Sequence, residues 1–156
     1  METTEALKEL RSGKIRPVYV AYGSDRYRME QFSSTLADKL FNREERELGI
    51  VKFDTSETAI EEAAAEAETL PFFVDKKLII IRDASVLAAA GAGTKEGKIE
   101  HRPERMLEYI EQPMESTVVL FMVYADKLDE RRKLVKRLKE QGALVSFNEL
   151  DGPELR

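Results

Sequence analysis

Leu78, Ile79, Ile80 and Ile81 form an unbroken apolar run, and residues 117–123 form a second one. Neighbouring side chains of a strand point to opposite faces, so a strand with one wet face alternates apolar and polar residues. A run that is apolar at successive positions needs cover on both faces, as in a parallel sheet with helices on each side. Around these runs, apolar residues recur at helical spacing. The alternation predicts an α/β domain with a five-stranded, mostly parallel sheet flanked by helices.

The other strands are expected at 18–22, opened by Pro17 and broken by Gly23, at 50–53, closed by Asp54, and at 143–147. Helices are predicted over 4–11, from Ser24 to about 41, and over 58–69, 103–112 and 130–141. The third carries Ile60, Ala63, Ala64 and Ala67 on one face. Its acidic remainder (Glu57, Glu61, Glu62, Glu66, Glu68) reads as a solvated surface. The last helix is basic, with Arg131, Arg132, Lys133, Lys136, Arg137 and Lys139 outside and Leu134, Val135 and Leu138 inside. A wet face explains those cations better than phosphate contact does. Residues 42–49 read as a charged connection. Residues 88–102, rich in Ala, Gly and charge, read as a mobile loop that leaves His101 exposed. Residues 1–150 are expected to form the domain, and 151–156 to begin a linker.

Composition removes several function classes. The chain has 156 residues, enough for one domain with a core of its own. With 42% hydrophobic and 35% charged residues it has the balance of a globular protein. A net charge of -5 and a pI near 5.2 argue against a free-standing nucleic-acid binder. It has no cysteine, which excludes disulfides and thiolate chemistry. A single histidine, His101, leaves no basis for a histidine metal site or a serine–histidine pair. No apolar run approaches the ~20 residues of a membrane-spanning helix. Met1-Glu2-Thr3-Thr4 is not a signal peptide, and a cytoplasmic location is expected.

An α/β chain of this pattern invites a test for a phosphate-binding loop after the first strand. Such a loop needs glycines that turn backbone N–H groups toward the anion, then a Lys and a Ser or Thr. The segment here is Gly23-Ser24-Asp25-Arg26-Tyr27-Arg28, with one glycine and an aspartate where phosphate would lie. The magnesium-holding acid of such a site would follow a later strand. Asp83 stands there, with no adjacent Glu, and reads as a turn residue. Gly91-Ala92-Gly93 follows no strand and carries no dinucleotide fingerprint. The prediction is a P-loop NTPase topology without a working P-loop, and with no catalytic residue, metal or cofactor.

Leu70-Pro71-Phe72-Phe73 falls between the third helix and the strand that begins near Leu78. Burying one Phe side chain is worth about 1.5–3 kcal/mol, so two rings at such a junction need a partner. That partner is either the helix at 58–69 or another protein.

Several segments together resemble the bacterial DNA polymerase III delta subunit, a clamp-loader family. Pro17-Val18-Tyr19-Val20-Ala21-Tyr22-Gly23-Ser24-Asp25-Arg26-Tyr27 is similar to its opening strand and helix. The stretch from Leu70 to Ile81 is similar to its clamp-contacting segment and following strand. Lys127-Leu128-Asp129-Glu130-Arg131-Arg132-Lys133-Leu134 and Gly142-Ala143-Leu144-Val145-Ser146-Phe147 match two later stretches, in order. The similarity spans nearly the whole chain and corresponds to the family's N-terminal domain.

The resemblance implies an AAA+-like domain that is not itself an enzyme, within an assembly that performs DNA-directed DNA polymerisation. It implies that Leu70, Pro71, Phe72 and Phe73 bind the ring-shaped sliding clamp, the beta subunit. Two adjacent apolar side chains, Phe72 and Phe73, would enter a clamp pocket and favour an open ring for loading on primed DNA. They also resemble the end of the clamp-binding peptide Gln-Leu-Ser/Asp-Leu-Phe, with Thr69 in place of its Gln and Phe72 in place of its Leu. The implied partners in the longer protein are the tau/gamma and delta prime subunits. DNA contact by this domain is implied to be weak, and no membrane is involved. Lid and collar domains would lie beyond Arg156. Two rivals stand beside this expectation: a small NTP-binding or phosphotransfer enzyme domain, and an interaction module unrelated to replication.

Overall fold

The computed structural model describes residues 1–71, 74–88 and 101–148. In chain order its elements are α1 (Thr3–Arg11), β1 (Val18–Tyr22), α2 (Arg26–Leu40), α3 (Arg46–Gly49) and β2 (Ile50–Asp54). There follow α4 (Ile60–Ala67), β3 (Lys77–Arg82), α5 (Glu104–Glu111), β4 (Thr117–Val123), α6 (Lys133–Glu140) and β5 (Leu144–Ser146). The two apolar runs lie side by side as β3 and β4, with Leu78 opposite Val118 and Ile80 opposite Leu120. The sheet order is β2-β3-β4-β1-β5, and every pairing is parallel. The expected fold class is thus observed.

The period-two geometry of β3 and β4 divides their side chains between two cores. Leu78, Ile80, Val118, Leu120 and Met122 pack with Leu10 of α1 and Met29, Phe32 and Leu36 of α2. Ile79, Ile81, Val119, Phe121 and Val123 pack with α4, α5 and α6 through Ala63, Ala64, Ile110, Leu134 and Leu138. Both faces of the central strands are therefore dry, which is why the sequence could be apolar there at successive positions. On the first face Tyr19 meets Phe32 edge-on at 5.3 Å, and Phe32 meets Phe147 at 5.5 Å. The buried Tyr19 hydroxyl accepts the Arg16 N–H at 2.9 Å, so its polar tip is satisfied.

The turn after β1 is pinned to the end of β5. Phe147 donates its N–H to the Tyr22 carbonyl, and the Phe147 carbonyl accepts from Asp25 N–H, both at 2.8 Å. Gly23 sits between them with φ +141°, and a Cβ there would lie 2.4 Å from the Phe147 carbonyl oxygen. Only glycine fits such an approach.

Most element boundaries differ from the sequence reading by a residue or two, and α2 starts at Arg26 rather than Ser24 because Asp25 is its cap. The connection at 42–49 contains the single-turn helix α3, prepared by a reciprocal pair in which Asn42 and Glu45 each bind the other's backbone N–H. The helix expected to start near 130 begins at Lys133, because the Asp129 carboxylate takes the Arg131 N–H in a turn. Helix α4 is shorter at both ends than the expected 58–69. Of the loop expected at 88–102, residues 89–100 lie outside the described residues, as does the expected boundary at 151–156.

Candidate interaction site at the α4–β3 junction

Helix α4 has only two turns. A helix of eight residues is unstable in isolation, so its order comes from packing and from what holds its ends. Ile60, Ala63, Ala64 and Ala67 form its buried face. At its N-terminus the Ala59 N–H reaches the Glu62 carboxylate at 3.3 Å. The Ile60 N–H donates to Nδ1 of His101 at 3.0 Å, while Nε2 of His101 lies 3.1 Å from the Thr55 carbonyl oxygen. The acceptor role of Nδ1 places the ring proton on Nε2, which donates to that carbonyl. His101 is therefore not the exposed loop residue expected from its flanks. Its ring bridges the turn after β2 to the first amide of α4.

The acidic side of α4 is also more than a solvated face. Glu61 accepts the Arg102 N–H at 3.1 Å, and that bond holds its carboxyl below the usual range. Glu68 pairs with Arg105 at 3.2 Å. Glu66 pairs with Lys77 at 2.8 Å. Glu57 keeps the exposed setting expected of it.

Lys77 opens β3 and is only 6% exposed. Its Nζ lies 2.8 Å from Oε2 and 3.1 Å from the carbonyl oxygen of Glu66. It also lies 2.6 Å from Oγ1 and 3.2 Å from the carbonyl oxygen of Thr69. The Thr69 hydroxyl is itself 2.7 Å from Glu66 Oε2. A buried ammonium thus finds a carboxylate, a hydroxyl and two carbonyls at the negative end of a helix, where a cation is favoured. Hydrogen bonds from Lys77 first, and from Thr69 second, hold the Glu66 carboxyl below its ordinary value.

The chain leaves this network at Thr69 and returns to it at Lys77. Between them, Leu70 is 67% exposed and Pro71 is half-buried. Val74 packs partly against the core on the α1–α2 side. Phe72 and Phe73, the two rings singled out in the sequence, lie outside the described residues. Neither Lys77 nor His101 was marked as part of this region by the sequence. A lysine abutting four apolar strand residues was the available signal, since such a cation must find anionic partners.

The place of a phosphate loop is taken up by the domain's own bonds. The carboxylate of Asp25 accepts the Arg28 N–H at 3.1 Å and so caps α2. The Arg26 guanidinium stacks over the Tyr124 ring at 4.2 Å. Asp83 stands in a left-handed turn with φ +49°, and its carbonyl accepts from the Thr55 hydroxyl, as a turn residue would. On the basic helix, Arg132 pairs with Asp129 at 3.4 Å, Arg137 with Glu111 at 2.5 Å, and Lys139 with Glu130. Much of that cationic face is neutralised within the domain.

Sheet order and two helical layers give the domain the topology of a P-loop NTPase, with a self-capped turn where the phosphate-binding loop would stand. The chain belongs to the DNA polymerase III, delta subunit family, whose model matches residues 19–148. It is 32% identical over 147 residues to DNA polymerase III subunit delta of Bacillus subtilis, a match covering 94% of this chain and 42% of that protein. The solved Bacillus subtilis DNA clamp loader delta protein superposes with a TM-score of 0.86 at 31% identity, covering 96% of this chain and 43% of that one. A DNA polymerase III gamma subunit-related protein from Thermotoga maritima gives a TM-score of 0.55 at 14% identity, covering 97% of this chain and 47% of that one, a likeness of fold alone. The chain spans about two fifths of the length of the delta relatives it matches. Among the described residues, no helix is long and apolar enough to cross a membrane.

Proposed function

We propose that this domain binds the bacterial sliding clamp through Leu70, Pro71, Phe72 and Phe73 and favours the open ring for loading on primed DNA. The observation that supports the reading most is the exposed Leu70, three residues past the end of α4 and two before the paired phenylalanines, in a chain of the delta family. Large apolar side chains gain about 1.5–3 kcal/mol each when a partner buries them, so an exposed Leu70 followed by two phenylalanines suits a protein contact. Pro71 limits the conformations open to the segment and so lowers the cost of ordering it on contact.

In this reading the domain is a non-catalytic part of the loader and needs no cofactor of its own. Residues 1–150 grip the clamp, and residues 151–156 lead toward lid and collar domains that meet the tau/gamma and delta prime subunits in the bacterial cytoplasm. Contact with DNA is a minor contribution of this domain.

Binding of the chain to an immobilised bacterial sliding clamp tests the reading. Phe72→Ala with Phe73→Ala is expected to weaken that binding at least ~100-fold, as for two hot-spot residues. Unchanged affinity in the double variant would exclude this site.

A further inference from the structure

We infer that Lys77 is a positioning residue for residues 70–73, a role that rests on the clamp-binding reading of that segment. Lys77 is tied to the sheet through its backbone, because its N–H donates to the Ser116 carbonyl at 2.8 Å just ahead of β4. Its side chain is tied to the end of α4 through Glu66 and Thr69. Residues 70–76 therefore begin and end at one polar knot. Their two ends are held together whatever path the stretch takes between them.

Closing the ends of a loop in advance removes part of the entropy that a partner must otherwise overcome. The knot also sets where the chain departs from α4, because two of the bonded oxygens are main-chain carbonyls, those of Glu66 and Thr69. A buried ion pair adds little net stability compared with apolar residues of similar size. Lys77 is therefore suited to fixing direction more than to holding the domain folded. Methionine has a similar length and no donor, so Lys77→Met removes the knot while keeping the volume.

The test measures affinity for the bacterial sliding clamp at a temperature where circular dichroism shows each variant folded. Lys77→Met and Thr69→Val are each expected to weaken binding roughly 5–20-fold, the scale of lost preorganisation. Amide exchange at Leu70 is expected to quicken in both. In a Phe73→Ala background Lys77→Met is expected to cost less than about twofold further, because it acts through the rings. A purely structural lysine would subtract the same factor in both backgrounds, and that additivity would overturn the positioning role. So would wild-type affinity in folded Lys77→Met while Phe72→Ala with Phe73→Ala loses binding, and the clamp-binding reading would then survive. Retained binding by the phenylalanine variant would overturn both. If Lys77→Met does not fold, Thr69→Val decides alone, since Thr69 is exposed and its hydroxyl contributes to the knot.

Discussion

Nδ1 of His101 accepts the N–H of Ile60, the first residue of α4, from a distance of 41 positions along the chain. A helix N-terminus leaves its first N–H groups without intrahelical partners, and here an imidazole from a remote segment supplies one of them. The other ring nitrogen is spent on the Thr55 carbonyl, so the ring is bonded at both ends.

His101→Ala is therefore expected to destabilise the domain by about 0.5–2 kcal/mol, the range for a lost N-cap. Urea denaturation gives the size, and amide exchange at Ile60 should locate the effect at the start of α4.

Gly23→Ala is expected to cost about 1–3 kcal/mol, the scale of a backbone forced into a sparsely populated region. The new Cβ would meet the Phe147 carbonyl, so the Asp25 and Phe147 bonds across the turn should loosen together. Denaturant midpoints of wild type and variant check it, and an unchanged midpoint would mean the turn tolerates another conformation.

Glu66 makes the polar knot sensitive to acid. Its carboxyl is held below the unfolded value by Lys77 and Thr69. A carboxylate shifted in that sense adds stability that is complete above its unfolded value of about 4.3 and is lost as pH falls through the lower folded value. The stability gap between wild type and Glu66→Gln should be constant above about pH 5 and shrink below about pH 4. Because the side chain is 35% exposed, solvent screens the pair and the gap should stay below ~1 kcal/mol.

Asp25 gives a test of the nucleotide rival. Magnesium with ATP is expected to leave the melting temperature unchanged, since a ligand that binds the native state raises it by mass action. Asp25→Ala should lower stability by about 1 kcal/mol through loss of the α2 cap. A clear rise of melting temperature with ATP would favour the enzyme reading.

The sheet was legible because it follows a local rule. Ile79 and Ile80 must face opposite layers, so their joint apolarity already implies cover on both sides. The missing phosphate loop was legible for the same reason, but the cap of α2 was not: the helix was expected to start at Ser24, and Asp25 is the residue that caps it. The ends of α4 were not legible. Its Ala-rich face predicts where it packs, whereas its limits are set by His101 and Lys77, whose partnerships depend on how distant segments meet. Glu66 and Glu57 look alike in the sequence, and only the arrival of Lys77 beside one of them tells them apart. The apolar quartet at 70–73 was visible as composition, and of its described residues Leu70 is exposed and Pro71 half-buried.

Anchorage of α4 by residues outside it limits what can be transplanted. A synthetic peptide copied from residues 58–73 would carry every side chain of the helix and of the apolar segment. It would contain neither the imidazole that starts the helix nor the ammonium that ends it, so in water it would begin as coil. Under the proposed function, comparing the affinity of peptide and domain for the sliding clamp would separate what the side chains contribute from what the scaffold contributes. An inhibitor patterned on this segment would need a staple or a cyclising link in place of the two distant residues.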